Sequence, residues 1–467
     1  MTASTAPTAE PAPPRRSRLW AWGLWDWGSS GFQHIALTFV FSVYLTDAVG
    51  ADLPGSVSAN SWLAWSTAAA GVLIALMAPV VGQSADRTGR RLRATGVWTA
   101  LVVLCMAGMF FVRDDWSYLW LGLLLLGLAS IFVELAYVSY YALMAQVSTP
   151  ATVGRVSGFG WSLGYIGGIV LLLGVYAFLL SGDGGLLGVP TADGLDVRIA
   201  VLVAAVWFAV FAAPMFLLLP ETPPVAPDAP KLGVAGSYRR LVADLRALYR
   251  ASPHTVYFLG ASALYRDGLN AVFAFGGVLA VTVYGLEPGQ VLIFGVAINV
   301  VAALGCVVGG RLDDRLGPKT VVVASLAGSV AVGVILLFVS GPTMFWIFGL
   351  VLGLFVGPAQ ASSRSYLLRV SPAQQEGQLF GLYATTGRAV SFLAPALIGL
   401  FTYVFGSDRA GTIGIVLVLA AGLVALLPVR PPRPCTGPVG CVNTRRRLGE
   451  HRHTWLARHI GVCNGRR

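Results

Sequence analysis

Twelve long apolar runs, separated by short polar segments, take up most of this sequence. About 20 consecutive apolar residues are enough for a helix to cross a bilayer. Only 11% of the residues are charged, against about 25% in soluble domains, so this chain cannot cover a surface that faces only water. The runs lie at residues 20–46, 62–82, 94–112, 117–145, 156–180, 197–219, 254–284, 288–309, 320–340, 343–368, 378–405 and 409–427. We therefore predict an all-α membrane protein with twelve transmembrane helices.

The polar segments between the runs alternate between basic and acidic. The basic set comprises Arg15, Arg16, Arg18, Arg87, Arg90, Arg91, Arg93, Arg155, Arg239, Arg240, Arg246, Arg250, Arg311, Arg315, Lys319 and Arg369. The acidic set comprises Asp47, Asp52, Asp114, Asp115, Asp183, Asp193, Asp196, Glu287 and Asp408. Basic loops of membrane proteins stay in the cytoplasm. We therefore expect a multi-pass protein of the cell membrane, surrounded by the lipid bilayer, with both termini cytoplasmic.

Other function classes are disfavoured by the same sequence. The formal net charge is +11, but the basic residues lie between apolar runs, so we expect no nucleic-acid partner. The segment from Gly317 to Lys319 lacks the Gly-Lys step of an ATP-binding loop. Cys435, Cys441 and Cys463 share the C-terminal tail with three histidines but without the spacing of a zinc site. We therefore expect no enzymatic activity, no cofactor and no metal.

The two halves of the chain are joined by its longest internal polar interval. We assign residues 1–19 to a disordered cytoplasmic tail, 20–219 to an N-terminal six-helix lobe, 220–253 to a cytoplasmic linker, 254–427 to a C-terminal six-helix lobe, and 428–467 to a basic cytoplasmic tail. In the linker, Leu241, Leu245 and Leu248 fall on one face of an amphipathic segment that also carries arginines. We expect this segment to lie on the inner membrane surface.

An internal repeat relates the two halves. Residues 82–91 follow the second run and read Gly-Gln-Ser-Ala-Asp-Arg-Thr-Gly-Arg-Arg, and residues 310–319 follow the eighth run and read Gly-Arg-Leu-Asp-Asp-Arg-Leu-Gly-Pro-Lys. Both fit Gly-x-x-x-Asp-Arg-x-Gly with a basic end. A second match aligns, at one constant offset, Gly154, Gly158 and Gly164 with Gly377, Gly381 and Gly387. Six helices in each half give both halves the same orientation, as in transporters built from parallel repeats.

At these residues the chain resembles the major facilitator superfamily, whose best-known motif is the Asp-Arg-x-Gly-Arg-Arg loop after helix 2, with a weaker copy after helix 8. A narrower resemblance starts at Trp25-Asp26-Trp27-Gly-Ser-Ser30, which is similar to the Tyr-Asp-Trp/Phe-Ala-Asn-Ser opening of permeases related to the fungal vacuolar amino-acid effluxer. Trp25 departs from the usual Tyr, and Gly28-Ser29 from the usual Ala-Asn. The resemblance implies the two-lobed fold of the superfamily and export of small amino acids or similar metabolites.

Polar and ionisable side chains inside the apolar runs are the candidates for binding a substrate or a coupling ion. A charge at mid-bilayer costs about 2.5–3.5 kcal/mol, so it needs a partner, a wet cavity or loss of its charge. The resemblance implies that helices 1, 4, 7 and 10 line a central cavity. The candidates are Asp26, His34, Glu134, Asp267, Asn270 and Arg388. The alternative is that some of them form structural ion pairs between helices, such as one between Asp267 and Arg388.

The repeated loops are predicted to act as gates. Their glycines permit tight turns, and their charges can pair across the inner face when it closes. Anchoring by positive charge alone would explain the arginines but not the aspartates or the glycines. The gating set comprises Gly82, Asp86, Arg87, Gly89, Arg90, Gly310, Asp314, Arg315, Gly317 and Arg364.

These observations favour a secondary active transporter that works by alternating access. A guanidinium at Arg388 can hold a carboxylate by two hydrogen bonds, and Asp267 or Glu134 can hold an ammonium group or carry a coupled proton. We expect a small-molecule substrate such as an amino acid, H⁺ as the coupling ion and a monomeric protein, although the sequence leaves the oligomeric state open. Two alternatives remain, an exporter of hydrophobic drugs and a membrane sensor that transports nothing.

Overall fold

The structure, a computed structural model, describes residues 15–182, 184–221, 234–372 and 374–430. Several predictions fall outside these residues. They concern most of the N-terminal tail, the acidic residue Asp183, the proline-rich part of the linker, and the C-terminal tail with its cysteines and histidines.

The described residues form helices and contain no β-strand, which confirms the all-α prediction. In the first half the α-helices are α1 (Arg16–Gly31), α2 (Phe41–Asp47), α3 (Ala59–Thr88), α4 (Arg91–Met109), α5 (Leu119–Val147), α6 (Val153–Val175) and α7 (Leu195–Leu218). π-Helical segments at Phe32–Phe39 and Tyr176–Leu180 continue α1 and α6. Short 3₁₀ turns at Trp116–Tyr118 and Ala192–Gly194 precede α5 and α7.

The linker and the second half are helical as well. The elements are α8 (Val234–Ala251), α9 (Pro253–Thr282), α10 (Pro288–Leu316), α11 (Pro318–Phe338), α12 (Pro342–Val370), α13 (Glu376–Val390), α14 (Leu393–Phe405) and α15 (Asp408–Leu426). Four of these helices begin with proline, whose fixed φ suits the first turn and whose missing N–H is not needed there.

Ten helical segments among the described residues are long and apolar enough to cross a membrane. They coincide with ten of the twelve predicted runs, and the boundaries agree within seven residues. The other two predicted runs, 20–46 and 254–284, are also helical, the first as α1, a π-segment and α2 and the second as α9. The chain is therefore a multi-pass membrane protein, and the count of twelve spans stays a prediction.

One predicted span, residues 378–405, is not a continuous helix. It is divided into α13 and α14, with Ser391 and Phe392 between them. Pro395 lies in the first turn of α14, where it lacks an N–H and its ring excludes the carbonyl of Ser391 from a helical position. The proline therefore accounts for the interruption.

The amphipathic linker segment is the helix α8, which packs against α3 and α9. Leu241 is buried, and Leu245 and Leu248 pack against the same core. Arg239, Arg246 and Arg250 lie on the exposed side of this helix. The predicted apolar face is thus the face that contacts the protein, and the location at a membrane surface stays a prediction.

Contacts between the two halves run mainly along two helix pairs, α3 with α13 and α6 with α10. Glycine permits both approaches. A Cβ added to Gly82 would lie 2.1 Å from the carbonyl oxygen of Gly377, and one added to Gly158 would lie 2.3 Å from that of Cys306. No side chain fits at either position unless the helices separate.

The substitution Gly82→Ala tests the first of these contacts. We expect it to force α3 and α13 apart and to destabilise the observed arrangement by about 1–3 kcal/mol, the usual cost of overpacking. The measurement is the thermal unfolding midpoint in detergent. Gly71→Ala on the same helix is the matched control, because nothing lies within 4 Å of a Cβ added there. Equal midpoints for the two variants would contradict the close approach.

Candidate functional site

One end of the molecule, which we call the motif end, is the end at which α3 and α10 finish and α6 and α13 begin. Asp86 of α3 reaches across to the start of α13. Its carboxylate accepts hydrogen bonds from the backbone N–H groups of Gly377 (3.1 Å) and Gln378 (2.7 Å), and from Nε of Arg91 (2.7 Å). The first N–H groups of a helix have no partner within that helix and favour a negative charge. Asp86 therefore caps a helix of the other half.

Asp314 of α10 makes the corresponding contact in the opposite direction. Its carboxylate accepts from the backbone N–H groups of Gly154 (2.8 Å) and Arg155 (3.2 Å) at the start of α6. It also binds the Arg155 side chain at 2.8 Å and Arg369 at 3.1 Å. The two aspartates of the sequence repeat thus cap the first turn of the two helices that carry the aligned glycines.

Further charged residues complete the motif end. Buried Arg91 bridges Asp86 and Glu376, with 2.5 Å between its Nη2 and the Glu376 Oε2. Arg369 contacts Asp313 at 3.0 Å, and Asp313 also accepts from Ser365. Our sequence analysis did not place Arg91, Arg369, Asp313 or Glu376 in the gating set. The signal for Glu376 was its position immediately before Gly377, the first of the aligned glycines.

The remaining predicted gating residues divide into turn residues and exposed charges. Gly89 ends α3 with φ +66°, and Gly317 joins α10 to α11 with φ +87°, so both need the freedom of glycine. A Cβ added to Gly310 would lie 2.6 Å from the Gly154 carbonyl oxygen. Arg90 and Arg315 are exposed, and Arg87 is half-buried. The structure thus brings Gly82, Gly310 and the two aspartates into the interface, whereas Gly89 and Gly317 are turn residues and Arg90 and Arg315 are exposed.

Asp26 and Arg364 form a buried ion pair between α1 and α12. Arg364 is 1% exposed, and its Nη1 lies 3.5 Å from Oδ2 of Asp26. Arg364 also donates to the backbone oxygen of Ser157 at 2.8 Å, and its guanidinium lies 4.7 Å from the ring centroid of Tyr141 and 5.2 Å from that of Trp161. Four helices, α1, α5, α6 and α12, therefore meet at one buried guanidinium.

Glu134 and Arg388 form a second ion pair between the halves. The Nη2 of Arg388 contacts Oε1 of Glu134, and their side chains are 31% and 27% exposed. Glu134 lies near the middle of α5, about 20 Å from either end at the rise of an α-helix. This pair therefore lies far from both ends of α5 and is partly exposed. The ion pair that we considered between Arg388 and Asp267 is wrong, because Glu134 is the partner.

Asp267 was predicted to bind a substrate or an ion, but its contact in the structure is with a helix N-terminus. Its Oδ2 accepts a hydrogen bond of 2.7 Å from the backbone N–H of Ala394, in the first turn of α14. The residue is 5% exposed. Asp267 therefore caps the helix that begins after the interruption at Ser391 and Phe392.

Two other predicted site residues lie on neighbouring helices. The side chain of Asn270 is exposed on α9. His34 lies on the π-segment after α1, where its Nδ1 is 3.0 Å from the backbone oxygen of Ser30. Its ring lies over Gly168 of α6, where an added Cβ would be 2.3 Å from the ring. Among the described residues, no hydrogen bond joins either of them to Glu134 or Arg388.

Arg266 on α9 was missed by the sequence analysis. Its guanidinium lies 3.7 Å from the ring centroid of Tyr383 and donates to the Tyr383 backbone oxygen at 2.9 Å. It also lies against Gly387, the residue before Arg388. The signal available was a second arginine within an apolar run, one residue before Asp267.

The comparison with known families settles which group these features belong to. The family described as "Vacuole effluxer Atg22 like" matches residues 145–434, which include α6–α15, one residue of each ion pair (Arg364 and Arg388), and the carboxylates Asp267 and Asp314. The chain belongs to this family. The narrower resemblance predicted from the sequence is confirmed.

Curated relatives agree with the assignment to the Atg22-like family. The "Uncharacterized MFS-type transporter YxiO" of Bacillus subtilis is 25% identical over 413 residues, which cover 87% of this chain and 93% of that protein. Autophagy-related protein 22 of Cryptococcus neoformans is 25% identical over 325 residues, covering 64% of this chain and 52% of the fungal protein. The chain thus spans about half the length of the fungal relatives that it matches.

Solved structures show the fold of this Atg22-like chain. The major facilitator superfamily transporter FucP, in the outward conformation, superimposes with a TM-score of 0.69 at 12% identity, covering 88% of this chain and 97% of FucP. The proton:xylose symporter XylE gives a TM-score of 0.68 at 13% identity, covering 88% of this chain and 93% of XylE. The chain therefore has the major facilitator fold.

Asp86→Asn tests the role of the helix caps in this Atg22-like chain. We expect the motif end to open more readily, because a neutral amide is a weaker acceptor for two helix N–H groups and no longer compensates Arg91. Hydrogen bonds to charged groups contribute about 1.5–3 kcal/mol each. The measurement is the alkylation rate of a cysteine introduced at Ser157, which is buried between the halves near the motif end, in a background without the native cysteines.

Asp52→Asn serves as the control for charge loss, because Asp52 is exposed. The control should leave the alkylation rate at position 157 unchanged. An equal rate in the Asp86→Asn variant would show that the cap does not hold the motif end closed.

Proposed function

We propose that the chain is a secondary active transporter that works by alternating access, with twelve transmembrane helices in two six-helix halves. In this proposal the motif end faces the cytoplasm, both termini are cytoplasmic, and the described structure is closed on that side. The basic residues near the motif end support this orientation, since positive charge is retained in the cytoplasm. The halves then move against each other by breaking and remaking the Asp86 and Asp314 caps.

The partly exposed Glu134–Arg388 pair is the observation that carries the proposal. Charged residues at this depth in a membrane protein mark substrate or ion pathways. The pair joins α5 of the first half to α13 of the second, so a ligand that binds either charge changes a contact between the halves. A ligand that binds one arrangement of the halves better than the other shifts their equilibrium.

The proposed substrate is a small metabolite such as an amino acid, moved outward and coupled to H⁺. Its carboxylate would replace Glu134 on Arg388, since a guanidinium binds a carboxylate through two parallel hydrogen bonds. Glu134, released from Arg388, would then hold the ammonium group or a proton. The description of the family as vacuole effluxers supports the outward direction of transport.

Export of hydrophobic compounds is the second candidate function, and a cavity in the second half favours it. The cavity has a volume of about 140 Å³ and is lined mainly by apolar groups, among them Phe273, Phe294 and Phe345. Such a cavity suits an apolar ligand with few polar contacts.

Uptake by proteoliposomes containing the purified protein distinguishes the two functions. We expect a pH gradient to drive flux of one or more of the twenty amino acids and not of a lipophilic cation such as tetraphenylphosphonium. Flux of the cation alone would replace the first proposal by the second. Flux of neither class under a pH gradient would contradict both.

Substitutions of Glu134 and Arg388 test how much the ion pair contributes to the stability of the protein. Glu134→Gln and Arg388→Gln should each lower the unfolding midpoint in detergent, because each leaves the other charge unpaired, and the double variant should be milder. We expect a coupling of about 0.5–3 kcal/mol, as for other residues in contact. Additive effects of the two substitutions would mean that the interaction between Glu134 and Arg388 contributes nothing to stability.

Arg388→Lys keeps the charge and separates binding from folding. Lysine lacks the planar fork of a guanidinium, so substrate affinity should fall while the unfolding midpoint stays near that of the native protein. Full transport by Arg388→Ala would rule out a role for Arg388 in binding.

A further inference from the structure

Charge compensation around the middle of the helices leaves one guanidinium without a carboxylate. Arg388 is paired with Glu134, and Arg364 is paired with Asp26. Asp267, next to Arg266 in sequence, is turned to the N-terminal turn of α14, where the partial positive charge of the helix compensates it. Among the described residues no carboxylate pairs with Arg266, whose contacts are the ring and the backbone oxygen of Tyr383.

The contacts of Arg266 hold its guanidinium in one orientation. The guanidinium lies over the Tyr383 ring at 3.7 Å and uses one N–H group on the Tyr383 backbone oxygen. A guanidinium stacked on an aromatic face keeps its edge, with the other N–H groups, available for a planar acceptor. Gly387 makes room for it, because a Cβ at this position would lie 2.9 Å from Nη1.

The same face of α9 looks toward the first half. Asn270 lies one helical turn after Arg266 on this face and is exposed. Phe273 follows and stacks on Tyr165 of α6 in the first half, with 6.1 Å between ring centroids. Arg266 itself contacts Gly387, which directly precedes Arg388. Arg266 is therefore next to the proposed transport site and is only partly buried.

We propose that Arg266 is a second anion-binding residue of the transport site, in addition to Arg388, and that the substrate is a small carboxylate with a net negative charge. The Glu134–Arg388 pair is neutral as a unit, so a zwitterion would leave Arg266 uncompensated, whereas a substrate of charge −1 neutralises it. One carboxylate of such a substrate binds Arg388, and a second accepts two N–H groups from the edge of the Arg266 guanidinium. The assignment of a substrate rests on the proposed transport function. The assignment of Arg266 as an anion-binding residue does not depend on transport.

A charged thiol reagent measures the electrostatic part directly. Asn270→Cys, in a background in which the native cysteines are replaced by alanine, is treated with a negatively charged sulfonatoethyl methanethiosulfonate and with its positively charged trimethylammonium analogue. We expect the ratio of the negative to the positive reagent's rate to fall by about tenfold when Arg266→Gln is added, as a unit charge one helical turn away implies. An unchanged ratio would overturn the proposal.

Two further variants keep this test independent of folding. Arg113→Gln removes the same charge from an exposed position in the connection between α4 and α5 and should leave the ratio unchanged. Gly387→Ala keeps the charge but displaces the guanidinium from its place, so the ratio should fall while the net charge stays constant. A fall with Arg113→Gln as large as that with Arg266→Gln would attribute the effect to total charge and overturn the proposal.

The substrate class is tested with an isosteric pair. Glutamate carries a net charge of −1 and glutamine none, so native protein in proteoliposomes should prefer glutamate, and Arg266→Gln should remove the preference. Preference for glutamine by the native protein would overturn the substrate class while leaving the proposed transport function intact. Failure of transport itself would leave the reagent ratio at position 270 as the measure of the anion site.

Discussion

The closed motif end depends on two carboxylates that cap helices of the opposite half. Asp86 satisfies the first N–H groups of α13, and Asp314 satisfies those of α6. These groups have no partner within their own helices, so burying them requires an acceptor from outside. The acceptor comes from the other half in both cases. The helix N–H groups, the close glycine contacts and the buried arginines at this end therefore have their partners only while the two halves are in contact.

The residues of the midplane lack this symmetry. The constant offset of the repeat aligns Arg388 with Tyr165 and Pro395 with Leu172. α6 accordingly continues through the position at which the second half is divided into α13 and α14. Asp267 caps the helix that this division creates, and Arg388 lies close before it. The repeated residues thus hold the two halves together, whereas the unrepeated ones are available for an asymmetric task such as binding a ligand.

Sequence reasoning found most of the helices because their signal is local, an apolar run of sufficient length between charged loops. Asp86 and Asp314 were found because each lies in a short sequence motif that is repeated in the two halves. The partner of Arg388 was not, since Glu134 is 254 positions away and nothing in the spacing relates the two. Asp267 was predicted to bind a ligand. The sequence analysis could not foresee that it caps α14, because α14 begins only at the interruption that Pro395 produces. Arg266 was passed over because only the folded chain shows its stacking on Tyr383.

The buried Asp26–Arg364 pair lies between the middle of the helices and the motif end. Arg364 lies about 9 Å before the end of α12, and Glu134 about 20 Å before the end of α5, at 1.5 Å per residue. Breaking a buried ion pair without replacement costs about 3–5 kcal/mol, so opening of the motif end requires water to reach both charges. A ligand must favour one state by about 5.5 kcal/mol to reverse a population of 1:99. In the proposed transport cycle the closing contacts therefore have to be largely exchanged for hydration as the halves separate. This exchange can begin at Arg155, whose side chain is 56% exposed beside Asp314.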